Sequence, residues 1–310
     1  MSGEKDGHLS AFEFFEQFPY EQSVIDLLEG ERWPDGIYCP RCGSERTKRI
    51  STSNRHNCNG CRKQFNVRTG SIFEGSHMLL RKWLYGIYLM QTARKGISSI
   101  QVSKELGISQ SAVWFMLHRI REAMDPGIDE KLSGAVEIDE AYVGGAEKKK
   151  HAKKKPHQNW IEGKQIVLGF RERGENGRVI LRPIHSSQQL VIEDEVLFAV
   201  EEGSTIYTDE GRGFYNLDAY FQHHTINHGR GEYVREEVTT NSIESVWAVV
   251  KRAYKGIYHQ WSPKHGQRYL NEVAYRLTEG QVRVPVMVRV KRLSQRAFNV
   301  TLTYKELIHE

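Results

Sequence analysis

The spacing of apolar residues changes after residue 134, from helical periodicity to strand-like alternation. "GAVEIDEAYVGG" alternates, and "KQIVLGFRERGENGRVILRPIHSS" predicts a hairpin that turns at residues 175–177. "QQLVIEDEVLFAVEEG" is typical of a helix, "STIYTDEG" and "HHTINHG" of strands, and "TTNSIESVWAVVKRAYKG" of another helix. Three strands, a helix, a strand, a helical turn, a strand and a helix predict a mixed α/β layered domain.

Before this domain, two helices follow a pattern found in DNA-binding proteins. "KGISSIQVSKELGISQSAVWFMLHRIREAM" predicts a helix capped by Ser98 or Ser99, a turn at Gly107 and a second helix from about Ser109. The core-facing positions of the second helix are Val113, Leu117, Ile120 and Met124. Its outward-facing positions are Gln110, Ser111, Trp114 and His118. In a helix-turn-helix these would meet the DNA major groove, although a plain three-helix bundle has the same periodicity.

All four cysteines lie within residues 39–61. Cys39 and Cys42 form one C-x-x-C pair and Cys58 and Cys61 a second, with 15 residues between the pairs. Each pair can place two thiolates on one side of a tight turn, and two turns complete a tetrahedral site. Two equal pairs without a spare cysteine disfavour a redox pair or structural disulfides in a cytosolic chain. The pattern predicts a ribbon that holds one structural Zn²⁺. Its many cationic side chains favour contact with a polyanion, although zinc ribbons also contact other proteins.

The composition describes an ordinary globular protein of two or three domains. The chain has 310 residues, of which 39% are hydrophobic and 27% charged. The most apolar stretch, "MLLRKWLYGIYLM", is interrupted by Arg81 and Lys82 and is too short to span a bilayer. The N-terminus lacks the basic start and apolar core of a secretory signal, so we expect a cytoplasmic protein without a membrane partner.

The positive charge is concentrated in short runs. The net charge is +5, which alone is weak support for a nucleic-acid partner. However, "EKKKHAKKKPH" contains a lysine cluster, and the residues that we expect to hold DNA phosphates are Lys149, Lys150, Lys153 and Lys154. A solvated loop would have the same composition.

Three acidic residues could converge in the α/β domain. Asp139 falls within the first predicted strand and Asp209 at the end of the fourth, and these strands could be neighbours. Glu244 lies on the first turn of the last helix, where it could also complete a capping box with Asn241 at the N-cap. Converging carboxylates repel one another unless cations neutralise them. Oxygen ligands suit two Mg²⁺ or Mn²⁺ ions about 3.5–4 Å apart, which catalyse attack at phosphorus.

The chain resembles a known family in segments spread from about residue 30 to the C-terminus. These are "RWPDGIYCPRCGS", "VEIDEAYVGG", "IYTDEGRGFY", "NSIESVWAVVKR", "GIYHQWSPKHGQRYLNEVAYR" and "LTYKEL". Together they resemble bacterial insertion-sequence transposases of the ISXO-like type. Such proteins join an N-terminal zinc ribbon to a DDE catalytic domain of the RNase H-like, retroviral-integrase-like fold.

The resemblance implies specific roles for several residues. Asp139 and Asp209 would be the two catalytic aspartates and Glu244 the third acid, with Asn241 nearby as an alternative third ligand. Lys251, with Arg252 beside it, would contact DNA near the element end. The implied substrate is double-stranded DNA, both inverted-repeat ends and target. A homodimer or a larger synaptic complex would act on it at the bacterial nucleoid.

These expectations give a multidomain α/β chain in four segments. They are an N-terminal helix and zinc ribbon (1–75), a helix-turn-helix (76–127), the RNase H-like domain (128–282) and a basic C-terminal segment (283–310). The leading hypothesis is a transposase that cuts element ends and transfers the freed 3′-OH. A transposase-derived DNA-binding regulator would have lost its acids, whereas all three are present. A stand-alone structure-selective nuclease would have less need of sequence-reading modules.

Overall fold

Internal contacts divide the chain into two units, Met1–Met124 with Gly280–Glu310, and Asp125–Glu279. The computed structural model describes residues 8–127, 131–144, 164–174, 177–226, 241–280 and 283–309. The sequence suggested four segments, but residues 283–310 fall in the first unit together with the N-terminal region. No helix in the described ranges is both long and apolar enough to span a membrane.

The described residues form helices and two β-sheets. Those before residue 125 are α1 (Ala11–Gln17), α2 (Glu21–Arg32), β1 (Thr47–Arg49), β2 (His56–Cys58), β3 (Gln64–Phe65), α3 (Leu80–Thr92), α4 (Ser99–Leu106) and α5 (Gln110–Ala123). Those of the second unit are β4 (Ala135–Val143), β5 (Gln165–Glu172), β6 (Val179–Ile184), α6 (Gln189–Ala199), β7 (Thr205–Asp209), β8 (Gln222–Ile226), α7 (Asn241–Arg252) and α8 (Pro263–Thr278). The chain ends with α9 (Val286–Arg296) and α10 (Tyr304–His309).

The predicted pair of helices is present with its caps. Ser98 Oγ accepts a hydrogen bond from the N–H of Gln101 at the start of α4, and Gly107 ends that helix with φ of 61°. Ser109 caps α5 by accepting from the N–H of Ala112. The four predicted core positions of α5 are all buried. These observations confirm α4, the Gly107 turn and α5.

The C-terminal helix α9 is part of the first unit. The guanidinium of Arg289 is buried, and its Nη1 donates to the carbonyl oxygen of Gln91 at 2.6 Å. The N–H of Ile72 donates to the carbonyl oxygen of Ala297, and Lys291 pairs with Glu31. Two of the basic residues of this segment therefore hold the unit together, which sequence charge alone could not indicate.

The second unit is built on a mixed sheet in the order β6-β5-β4-β7-β8. Strands β4, β5 and β6 pair antiparallel, whereas β7 pairs parallel to both β4 and β8. This matches the predicted succession, including the hairpin of β5 and β6, although residues 175 and 176 of its turn lie outside the described residues. Two 3-10 turns lie between β7 and β8.

Both faces of this sheet are covered by helices. On one face α7 and α8 cover the sheet, and Ile243, Trp247 and Val250 of α7 pack against residues such as Val167 and Leu181. On the other face α6 buries Ile192 and Val196 against Ile138 and Phe170. Helix α7 therefore lies on the face of the sheet that carries Ala141 and Val143 of β4.

Candidate active site and cysteine cluster

The four cysteine thiols converge in the first unit. Their Sγ atoms all lie within 4.8 Å of one another, and all four are free thiols. The backbone N–H of Cys61 donates to Cys58 Sγ at 3.4 Å and lowers the pKa of that thiol to about 6. This favours the thiolate, which is the form that binds zinc. Cys39, Cys42, Cys58 and Cys61 therefore fit a closed structural Zn²⁺ site.

Two glycines allow the turns that carry these thiols. Gly43 has φ of 71°, and its N–H donates to the carbonyl oxygen of Cys39 at 2.8 Å. A Cβ on Gly60 would lie 2.8 Å from Cβ of Ser44. A side chain at either position would strain or displace the turn.

Asp139 and Asp209 lie on neighbouring strands. The parallel register of β4 and β7 pairs Glu137 with Tyr207, and each aspartate follows its member of that pair by two residues. Both side chains therefore project from the same face of the sheet. Burial raises the pKa of Asp139 to about 6, and the negative charges of Asp209 and Glu244 raise it as well. The three acids predicted from the sequence thus interact electrostatically.

Trp247 holds the Asp139 carboxylate from the helix side. Its indole Nε1 donates to Asp139 Oδ2 at 2.8 Å, which lowers the pKa of Asp139 against the effect of burial. Gly169 lies opposite Asp139 on β5, and a Cβ there would come 2.6 Å from the Trp247 ring. The absence of a side chain at residue 169 therefore lets the indole reach the carboxylate.

Asp209 is oriented by the loop that follows it. Its Oδ1 accepts a hydrogen bond from the N–H of Gly211 at 2.9 Å. A Cβ on Gly211 would lie 2.8 Å from that oxygen. The glycine in "TDEG" therefore permits close approach of the backbone to the aspartate.

Glu140 is an acidic residue near the site that sequence reasoning missed. Burial raises its pKa to about 7, and the charges of Asp209 and Asp139 raise it further. Its Oε2 is buried and has no hydrogen-bond partner among the described residues. Residues 139 and 140 are adjacent, and strand alternation gave no reason to bring both near Asp209. The acidic dipeptide "DE" was the only available signal.

Glu244 is exposed on the first turn of α7. Among the described residues, the four cysteines are the one group of three or more ligand-type side chains close enough to hold a metal ion together. The three carboxylates are therefore close enough to interact but are not drawn together. Asn241, placed at the N-cap from sequence, is instead the first helical residue. The N–H of Ile243 is satisfied by Glu137 Oε2 at 3.0 Å.

Four of the predicted DNA-contact residues lie on exposed parts of two helices. Lys251 and Arg252 are exposed at the end of α7, and Gln110 and Ser111 are exposed at the start of α5. Gln110 Nε2 donates to Ser99 Oγ at 2.8 Å.

Two further expectations turn out differently. His118 was expected to face outward but is fully buried, with its ring 4.4 Å from that of Trp114. Helix α5 is buried on all sides over residues 116–121, so the outward assignment of His118 was wrong. Lys149, Lys150, Lys153 and Lys154 lie outside the described residues.

Two family models and a curated protein that match this chain all concern transposable elements. Residues 131–278 match the family model for the ISXO2-like transposase domain, and residues 19–64 match that for the transposase zinc-ribbon domain. An "Uncharacterized protein in transposable element ISH50" from Halobacterium salinarum is 30% identical over 249 residues. That match covers 76% of this chain and 83% of the relative.

Two solved structures of Mos1 complexes are also similar. The Mos1 strand transfer complex matches with 10% identity and a TM-score of 0.30, over 69% of this chain and 78% of that chain. The pre-cleavage Mos1 transpososome matches with 10% identity and a TM-score of 0.20, over 63% and 75%. Both superpositions are too loose to carry an argument about this chain.

The five-stranded mixed sheet, its helices on both faces and the acidic residues on two adjacent strands define an RNase H-like α/β domain. The first unit adds a zinc-ribbon region and a helix-turn-helix to it. With the two family matches and the relative that shares most of its length, the chain belongs to the ISXO2-like insertion-sequence transposases with an N-terminal zinc ribbon.

Proposed function

We propose that this transposase cleaves DNA at the ends of its insertion sequence and joins the freed 3′-OH to target DNA. Asp139, Asp209 and Glu244 would hold two Mg²⁺ or Mn²⁺ ions for both reactions. The main support is the repulsion among the acids of β4, β7 and α7: burial raises the pKa of Asp139, and the charges of Asp209 and Glu244 raise it as well. Divalent cations would remove that repulsion.

The donor set fits hard divalent cations. All three side chains offer carboxylate oxygens from well-separated chain positions, which suits Mg²⁺ or Mn²⁺ better than a soft metal. Such ions, when bound, activate the attacking hydroxyl and stabilise the leaving oxygen of an in-line displacement.

The chain itself contributes fixed orientation of its acids. Trp247 holds Asp139 Oδ2, and the N–H of Glu140 donates to Asp139 Oδ1 at 2.8 Å. The N–H of Gly211 holds Asp209 Oδ1. Carboxylates oriented in advance lose less freedom when they bind a ligand, and this favours catalysis by positioning.

DNA binding is divided between the two units in this proposal. Gln110 and Ser111 on α5 would contact bases at the element end, whereas Lys251 and Arg252 on α7 would contact phosphates. Lys149, Lys150, Lys153 and Lys154 would add phosphate contacts that carry no sequence information. Two ends must be joined, so we propose a homodimer or larger synaptic complex acting in the cytoplasm at the nucleoid.

A cleavage assay tests the proposal. A labelled duplex carrying the element end, incubated with protein and Mg²⁺ or Mn²⁺, should yield a nick with a 3′-OH and then a joined product. Asp209→Asn should lose both products while keeping its melting temperature. Asp194→Asn, which changes an exposed aspartate on α6, is the matched control and should cut normally. Cutting by Asp209→Asn at the wild-type rate, or cutting in EDTA, would contradict the proposal.

A further inference from the structure

A buried carboxylate lies close to the three acids, on the strand that carries Asp139. Glu137 is on β4, two residues before Asp139 and therefore on the same face of that strand. Its side chain is 0% exposed. A carboxylate in such a place is costly unless its oxygens have partners.

Each oxygen of Glu137 has a different partner. Oε1 accepts from Nε of Arg173 at 2.9 Å. Oε2 accepts from the backbone N–H of Ile243 at 3.0 Å. Ile243 is in the first turn of α7, one residue before Glu244. Glu137 therefore connects the strand of Asp139 to the helix turn of Glu244, and it satisfies one of the free N–H groups of that helix start.

Arg173 extends the connection to the third acid. Its guanidinium carbon lies 3.6 Å from the ring centroid of Tyr207, a distance typical of a cation–π contact. Tyr207 is on β7, two residues before Asp209. The backbone N–H of Arg173 also donates to the carbonyl oxygen of Ala135 on β4 at 2.8 Å. The cluster of Glu137, Arg173 and Tyr207 thus contacts all three acid-bearing elements within two residues of each acid.

We propose that Glu137, held by Arg173, is a positioning residue that fixes the first turn of α7 against β4 and β7, and so sets Glu244 relative to Asp139 and Asp209. The inference rests on the proposed function for its catalytic meaning. Among the described residues, the exposed side chain of Glu244 makes no hydrogen bond or ion pair with β4 that could replace this one. If the Glu137–Arg173 ion pair served stability alone, Glu137 would not also need to accept from the backbone N–H of Ile243, in the helix that carries Glu244.

Glu137→Gln tests this with little change in size. In the present geometry the two donors face different oxygens of Glu137, so a glutamine would turn its amide NH₂, which cannot accept, toward either Arg173 or the N–H of Ile243. Glu172→Gln is the matched control. Glu172 also pairs with an arginine, Arg178, at 2.8 Å and accepts from a backbone N–H, that of Ser133, at 3.0 Å. Neither partner of Glu172 is on α7, so this control reports the general effect of removing such a pair.

Two measurements on the full-length protein do not depend on cleavage. Hydrogen exchange of the peptide covering the first turn of α7 should become faster in Glu137→Gln and stay unchanged in Glu172→Gln. Mn²⁺ affinity, measured by calorimetry, should fall by about 10–100-fold in Glu137→Gln alone, as is typical when a partner that orients a metal ligand is removed. If Glu137→Gln does not fold, Arg173→Lys should give a smaller change in the same direction.

Unchanged exchange and Mn²⁺ affinity in the folded variant would overturn the positioning role. Equal decreases in Glu137→Gln and Glu172→Gln would also overturn it, since they would show a general effect on stability. A wild-type protein that binds no Mn²⁺ would instead contradict the proposed metal site. In that case the exchange comparison would still decide whether Glu137 fixes α7.

Discussion

Trp247 and Asp139 are joined by a hydrogen bond of 2.8 Å from the indole Nε1 to the carboxylate Oδ2. The bond links the first turns of α7 to the strand that carries the acid. It also opposes the burial that raises the pKa of Asp139 to about 6. The tryptophan is therefore both part of the core and a partner of the proposed metal ligand.

Trp247→Phe should move the acidic side of the pH–cleavage profile to higher pH. Asp139 has to be ionised to bind a cation, and removal of the indole donor raises its pKa further above its usual value. A hydrogen bond to a charged group contributes about 1.5–3 kcal/mol, so we expect a shift of about 1–2 pH units. Trp261→Phe, which changes another buried ring of the same core, is the control. The same midpoint in both variants would refute the role of Trp247.

Glu140→Gln should stabilise the metal-free protein, and more so at high pH. The folded state raises the pKa of Glu140 from its usual 4.5 to about 7. Its contribution to stability is therefore complete below about pH 4.5 and is lost as the pH rises through 7. The difference in melting temperature between variant and wild type should grow over this window, by about 2–4 °C for each kcal/mol. A difference that stays constant with pH would show that ionisation of Glu140 does not destabilise the folded state. The control is Glu201→Gln, which changes an exposed glutamate.

Much of this structure could be predicted because helix ends and strands depend on short-range interactions. Ser98, Gly107 and Ser109 mark helix ends through their own backbone and side-chain bonds, and the strand patterns suggested that the strands of Asp139 and Asp209 could be neighbours. The roles of Glu137, Gly169 and Trp247 could not be predicted, because each depends on contacts between distant positions. His118 was misplaced because helical periodicity gives the faces of α5 but not how much of each is covered.

The ribbon should contain about one zinc per chain, since four thiolates close a structural site. Elemental analysis of the reduced protein measures this directly. Cys58→Ser should lose the metal and unfold the ribbon, while a calorimetric transition of the second unit remains. Protein without zinc, or a disulfide among the four cysteines, would contradict the assignment.

End recognition should depend on Gln110 and Ser111. Replacing both with alanine should reduce the preference for the element end over unrelated DNA by about 1–3 kcal/mol for each base that these side chains hydrogen-bond. General affinity should change little. Lys251→Ala should weaken binding to both DNAs and reduce its salt dependence, because it removes a phosphate contact. Competition binding at several salt concentrations separates the two effects. An intact preference after the double replacement would make the zinc ribbon the better candidate for reading the ends.

Cleavage by Glu244→Gln in Mg²⁺ or Mn²⁺, beside a melting curve, tests most directly whether the three acids form one metal site. If Glu244 only supports the start of α7, glutamine should serve nearly as well, because even a full cap is worth about 0.5–2 kcal/mol. We predict that cleavage falls by more than the roughly 10–100-fold typical of removing an orienting partner, as it should in Asp139→Asn, while folding and DNA binding persist. Cleavage by Glu244→Gln near the wild-type rate would contradict the account and make Asn241 the first alternative ligand to test.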